Sequence, residues 1–234
     1  MKIESIAILT VAAAFAALPA QAQVLNGGFS SGLTSWTQLG DVSIQSGAAL
    51  LTTAAVNFED DAPASAGAFN FSGIAAADSS NSLDTFSNLS VDALDPDAGS
   101  LVFAFEGSAL KQTFTVGAGD VIFFQWQFLT NDPLADYAYV VINGTKINLG
   151  QASLASTSSS PFAFESAVNT FSSQAFPSAQ TVDFVVGVVD VNDFNGTTAL
   201  QFDNVQIVPE PSSAMLALAG LLGLAGRRRS RERK

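Results

Sequence analysis

The sequence predicts an all-β fold, an antiparallel β-sandwich, and three observations carry that expectation. Apolar residues alternate with period two in run after run between residues 101 and 208. Gly- and Asn-containing turns separate the runs, and no apolar pattern of helical period and domain size lies between the two ends of the chain. The expected organisation is a signal helix at 1–22, a β-sandwich domain at 23–208, and a hydrophobic helix with flanking motif and basic tail at 209–234.

Leu101–Phe105 and Gln112–Val116 read as strands, and the turn at 117–120 leads into Val121–Thr130 as though closing a hairpin. In Val121–Thr130, Ile122, Phe124, Trp126 and Phe128 share one face, so Trp126 belongs to the core. Tyr137–Ile142, Asn143-Gly144 and Thr145–Leu149 give the clearest hairpin, because both turn residues tolerate the positive φ of a type I′ turn. That turn also accounts for the glycosylation-like Asn143-Gly144-Thr145. Thr181–Val191 is apolar on both faces and reads as a central strand. Ala199–Val208 changes apolar parity between Phe202 and Val205, which predicts a bulge at Asp203-Asn204. Residues 57–100 and 150–180 are loose, with one short strand near Phe162–Phe164.

Composition narrows the function. Between 23 and 226 only Lys111 and Lys146 are basic, against 19 of the chain's 21 acids, so a phosphate backbone is repelled and nucleic acid is excluded as a partner. The chain has no Cys and no His. Disulfides, thiolate chemistry, a Ser-His-Asp triad and the usual zinc sites are all unavailable to it. An oxygen-ligated ion such as calcium remains open. Asp190, Asn192, Asp193 and Asn195 crowd one turn, and Asn131, Asp132 and Asp136 form a second acidic loop that is expected to meet it at one end of the sandwich. The alternative is two ordinary turns whose side chains bond their own backbone. No phosphate loop, cofactor motif or local pair of catalytic carboxylates is evident, so no catalytic residue is assigned and the protein reads as a non-enzyme.

The ends specify traffic. Lys2, the apolar run Ile6–Leu18, Pro19 and the small residues Ala20 and Ala22 have the order of a secretory signal cut before Gln23. A buried helix is the alternative there. At the other end come Pro209-Glu210-Pro211, the uncharged run Ala214–Gly226 and Arg227-Arg228-Arg229. As a helix that run spans only about 20 Å, whereas a bilayer core is roughly 30 Å thick. The arginines act as a membrane stop and hold their end in the cytoplasm. This arrangement resembles the PEP-CTERM sorting signal of exported bacterial proteins. The resemblance implies exosortase as partner, transient anchoring in the inner membrane, and a final place at the cell surface, in an exopolysaccharide or biofilm matrix, or in the medium.

The body carries a second resemblance. Leu25-Asn26-Gly27-Gly28-Phe29, Gly32-Leu33 and Ser35-Trp36 at its start, and Ala199–Val205 at its end, are similar to jelly-roll carbohydrate-binding modules and galactose-binding-like domains. What this implies is a jelly-roll sandwich that binds polysaccharide without catalysis, and a structural calcium on an Asp of the last strand, here Asp203. Ser30 stands where such modules often place a second carboxylate. The other readings are a structural or adhesive biofilm-matrix protein with no dedicated small ligand, and a calcium-dependent polysaccharide hydrolase.

Overall fold

The computed structural model describes residues 23–96, 101–132 and 135–209. The signal segment with Ala20 and Ala22, the motif residues Glu210 and Pro211, the run 214–226 and Arg227, Arg228 and Arg229 lie outside the described residues. Among the described residues no helix is long and apolar enough to cross a membrane.

Two antiparallel sheets face each other. The first is ordered β1 (Thr37–Leu39), β5 (Ala104–Val116), β12 (Gln180–Val191), β7 (Tyr137–Ile142) and β8 (Thr145–Gln151), with the two-residue β4 (Ala77–Asp78) also on β5. The second is ordered β2 (Asp41–Gln45), β3 (Ala48–Thr52), β13 (Thr198–Val208), β6 (Val121–Thr130), β10 (Phe164–Glu165) and β9 (Thr157–Ser158), with β11 (Asn169–Ser172) also on β6. A short π-helical turn at Ser79–Leu83 and one α-helical turn at Asp84–Phe86 precede β5.

Even-numbered residues of four long strands fill the space between the sheets. Ile122, Phe124, Trp126 and Phe128 of β6 and Leu200 and Phe202 of β13 meet Val182, Phe184, Val186 and Val188 of β12 and Ala138 and Val140 of β7. The phase change along β13 is a bulge: its register against β6 shifts between Asp203 and Gln206, and Asn204 takes φ 56°. Val205 thereby rejoins the core. Asn143 (φ 50°) and Gly144 (φ 75°) form the tight turn between β7 and β8.

The structure departs from the sequence reading at residues 117–120. Val116 pairs with Gln180 in the first sheet and Val121 with Val208 in the second, so β5 and β6 form no hairpin. The turn is an arch between sheets, and Asp120 tightens it by accepting the Gly117 amide at 2.6 Å. Alternation alone gave no warning, since a hairpin and an arch join the same two strand patterns. Similarly, β5 begins at Ala104 and continues unbroken through Lys111, where the sequence suggests two separate strands.

β12 is apolar on both faces for two reasons. It lies between β5 and β7, and its outer face is covered by residues 79–95, where Leu83 and Leu94 pack with Val185, Val189, Tyr137 and Tyr139. Gly187 sits opposite Tyr139, whose phenol ring lies over it; a Cβ there would come within 2.5 Å of that ring.

Phe184 is wholly buried against Trp36, Phe114 and Phe124. Phe184→Ala is expected to cost about 3–5 kcal/mol. Urea unfolding followed by tryptophan fluorescence should show a lower midpoint with little change in slope.

Candidate functional site

Two crossovers share one end of the sandwich. Residues 131–136 carry the chain from β6 to β7, and residues 192–197 carry it from β12 to β13. They lie side by side because Thr130 pairs with Thr198 in the second sheet while Tyr137 pairs with Val189 in the first. The inward parity of all four strands continues into this end, and there it changes chemistry. After Phe128 come Thr130 and Asp132; ahead of Ala138 stands Asp136; after Val188 comes Asp190; ahead of Leu200 stands Thr198. Apolar layers thus end in a layer of oxygen.

Asp132, Asp136 and Asp190 are 4 %, 0 % and 2 % exposed, and each offers a carboxylate oxygen within 4.8 Å of the others. Asp136 is held from both sides: its Oδ1 accepts the Val191 amide at 2.9 Å, and its Oδ2 accepts the Thr198 hydroxyl in a short bond. That hydroxyl lies 2.8 Å from the Thr130 hydroxyl, whose oxygen accepts the Asp132 amide. Asp190 differs. Its Oδ1 is buried and makes no hydrogen bond.

Other buried acids in this fold are spent on the backbone. Asp41 accepts the Phe71 and Ser72 amides, and Asp84 accepts those of Asp92 and Leu94. Burial pushes the Asp136 carboxyl up, against the lowering effect of its two donors, with Asp132 and Asp193 adding repulsion. It pushes Asp190 up as well, and there the further charges all act in the same direction: Asp136, Asp193, Glu106 and Asp132. Glu106 is itself raised to about 7 by burial, with a smaller push from Asp60. Oxygen donors without nitrogen or sulfur suit a hard cation. Carboxylate pairs also serve glycoside hydrolysis, but Asp136 and Asp190 are closed off from any substrate.

Above the cluster opens a cleft of about 930 Å³ between the crossovers and the loops at 60–69 and 159–163. Its walls include Asp61, Phe69, Asn131, Asp132, Asp193 and Asn195. Asp61 joins two of these loops by accepting both the amide (2.7 Å) and the hydroxyl (2.6 Å) of Thr197.

Of the residues singled out in the sequence, the structure brings Asp190 of the oxygen-rich turn together with Asp132 and Asp136 of the second acidic loop. Asp193 and Asn195 line the cleft, where Asp193 accepts the Asn195 amide at 2.7 Å in a self-closing turn. Asn192 is exposed with φ 78°. Asp203 belongs elsewhere. It sits five residues along β13 from Thr198, about 17 Å away, with one buried oxygen lacking a partner and directed toward Gly28 of the opening segment. It also borders a hollow of about 220 Å³ with Gln125, Gln127 and Gln201. The oxygen donors calcium needs do not converge there: Ser30 is exposed, and the Asn26 amide group is occupied within its own turn. The sequence reading placed Asp132 and Asp136 in a neighbouring loop but left them out of the ligand set. The signal that finds them is parity, since each extends the inward face of its strand.

Residues 208–229 match the PEP-CTERM protein-sorting motif. No curated protein matches the chain. Among solved structures, the chain is similar to TmCBM61 in complex with beta-1,4-galactotriose, at 11 % identity and a TM-score of 0.38, over 82 % of this chain and 100 % of that one.

The raised Glu106 carboxyl favours the folded state in its neutral form. Its contribution is complete below about 4.5 and is lost as pH rises through about 7. In EDTA, the melting temperature should therefore fall between those limits. Glu106→Gln should flatten that part of the profile, as read by thermal melts at successive pH values.

Proposed function

We propose that this protein is exported, sorted by exosortase at its PEP-CTERM motif, and placed at the cell surface or in the surrounding matrix, where its sandwich binds polysaccharide without catalysis. The supporting observation is the layout. The motif begins at Val208, the last residue of β13, which pairs with Val121 at the start of β6. The cleft opens beyond Thr130, at the other end of β6, about 30 Å away. A segment leaving toward a membrane at one end directs the cleft outward at the other.

The cleft wall suits a sugar chain. Phe69 offers an apolar ring, steadied by Phe162 at 5.2 Å, and Asp61, Asn131, Asp193 and Asn195 surround it with polar groups of the kind that orient hydroxyls. In the described residues the acid surplus disfavours anionic polymers and favours neutral ones.

Full-length chain in detergent should bind a subset of neutral glycans on an array. Phe69→Ala should weaken that binding about tenfold, whereas Gln127→Ala, in the hollow beside Asp203, should leave it unchanged. The reverse pattern, or no binding at millimolar glycan, would overturn the cleft assignment. In the producing cell, removing 209–234 should shift the protein from its usual compartment, as read by fractionation and immunoblot.

A further inference from the structure

We propose that Asp132, Asp136 and Asp190 together bind one divalent cation of calcium's size, which closes the loop end of the sandwich by joining strands of both sheets. The inference does not depend on the polysaccharide reading.

The geometry comes first. Three carboxylate oxygens within 4.8 Å of one another come close enough to be shared by one cation, and an all-oxygen set of this kind suits calcium, which takes six to eight oxygens at about 2.3–2.6 Å in flexible geometry.

The second, independent observation is Asp190. It is 98 % buried, it faces Asp132 and Asp136, and its Oδ1 accepts nothing from the protein. Leaving a buried carboxylate oxygen bare is costly, and the same chain avoids that cost at Asp41, Asp61 and Asp84 by supplying backbone or hydroxyl donors. The donors present here serve Asp136 instead. The Thr198 hydroxyl and the Val191 amide fix its plane and leave each oxygen a second lone pair for an ion.

Charge points the same way. The groups that act on Asp190 are all acids, with Glu106 and Asp193 joining the two cluster partners. The two lysines of the described chain are engaged elsewhere, Lys111 with the Phe86 carbonyl and Lys146 over the Tyr137 ring. With no His or Cys anywhere in the chain, the ion must be one that accepts oxygen alone.

The chain order makes such an ion structurally useful. Asp132 follows β6 of the second sheet, Asp136 precedes β7 of the first, and Asp190 is the last residue but one of β12 in the first. One ion would tie both crossovers beneath the cleft.

The test uses the full-length chain in detergent, stripped with EDTA and returned to calcium. Calcium at about a hundredfold excess over its Kd should raise the melting temperature by about 5–10 °C. Equilibrium dialysis with radioactive calcium should show Asp190→Asn holding one ion fewer than the unaltered chain. That variant is nearly isosteric with the neutral carboxyl that burial favours in the ion-free chain, and its melting temperature should no longer respond at this site. Asp183→Asn, an acid at the opposite end, should respond in full. The proposal is overturned if calcium leaves the unaltered chain's melting temperature where EDTA set it. It is equally overturned if Asp190→Asn binds as many ions as the unaltered chain, or if Asp183→Asn loses the response too.

Discussion

Phe124 of one sheet and Phe184 of the other meet across the sandwich with ring centres 5.8 Å apart, and the architecture depends on that contact and its neighbours. No disulfide can join the sheets, because the chain has no cysteine. Their union rests on buried apolar surface, about 1.5–3 kcal/mol for each large side chain. Phe202 joins Phe124 to Phe29 and Trp36, so the irregular opening segment is part of the core and not an appendage to it. The Trp36 indole donates to the Asn26 carbonyl, and Gln112 of β5 bonds Leu25 and Ser35, which locks that segment against β5. Once these rings are in place, the inward positions beyond them on β6, β7, β12 and β13 have nowhere to go but toward one another. The acid cluster is a geometric result of the aromatic core.

Much of this was legible in the sequence, for a physical reason. A half-buried strand writes its orientation as alternation, so β6, β12 and β13 could be read with their faces, including Trp126 in the core and the bulge at Asp203-Asn204. The Asn143-Gly144 turn was legible because few residue pairs accept its dihedral angles. What stayed hidden was which strands are partners. Hydrogen bonds between strands are made by the backbone, which is the same at every residue, and so Val116 and Val121 looked like neighbours in one sheet when they belong to two. The metal-ligand set was half legible for the same reason. The turn with Asp190 and the loop with Asp132 and Asp136 stood out, and so did their meeting at one end of the sandwich, but which carboxylates converge follows from the pairing of Thr130 with Thr198 and of Tyr137 with Val189. Asp203 was singled out through the resemblance alone, and the length of β13 separates it from this cluster.

Acidic residues do two different jobs in this fold. On the surface they supply charge to a chain with few lysines. Inside they replace turns and caps: Asp41 fastens the loop at 71–72, Asp84 closes the segment that covers the first sheet, and Asp61 pins the cleft loop to Thr197. Each works because a carboxylate accepts from two directions and amide donors lie nearby. The cluster at Asp190 departs from this economy, because there a bare buried oxygen faces two further carboxylates.

The route by which the chain leaves the domain has a mechanical side. β13 is flanked by β3 over Ala199–Phe202 and by β6 along its length. Tension drawn through Val208 runs along the strand, across hydrogen bonds that stand perpendicular to it. Such a load must shear many bonds at once, whereas a hairpin pulled from its open end peels one bond at a time. A load applied through Val208 would therefore meet the domain in its stiffer direction.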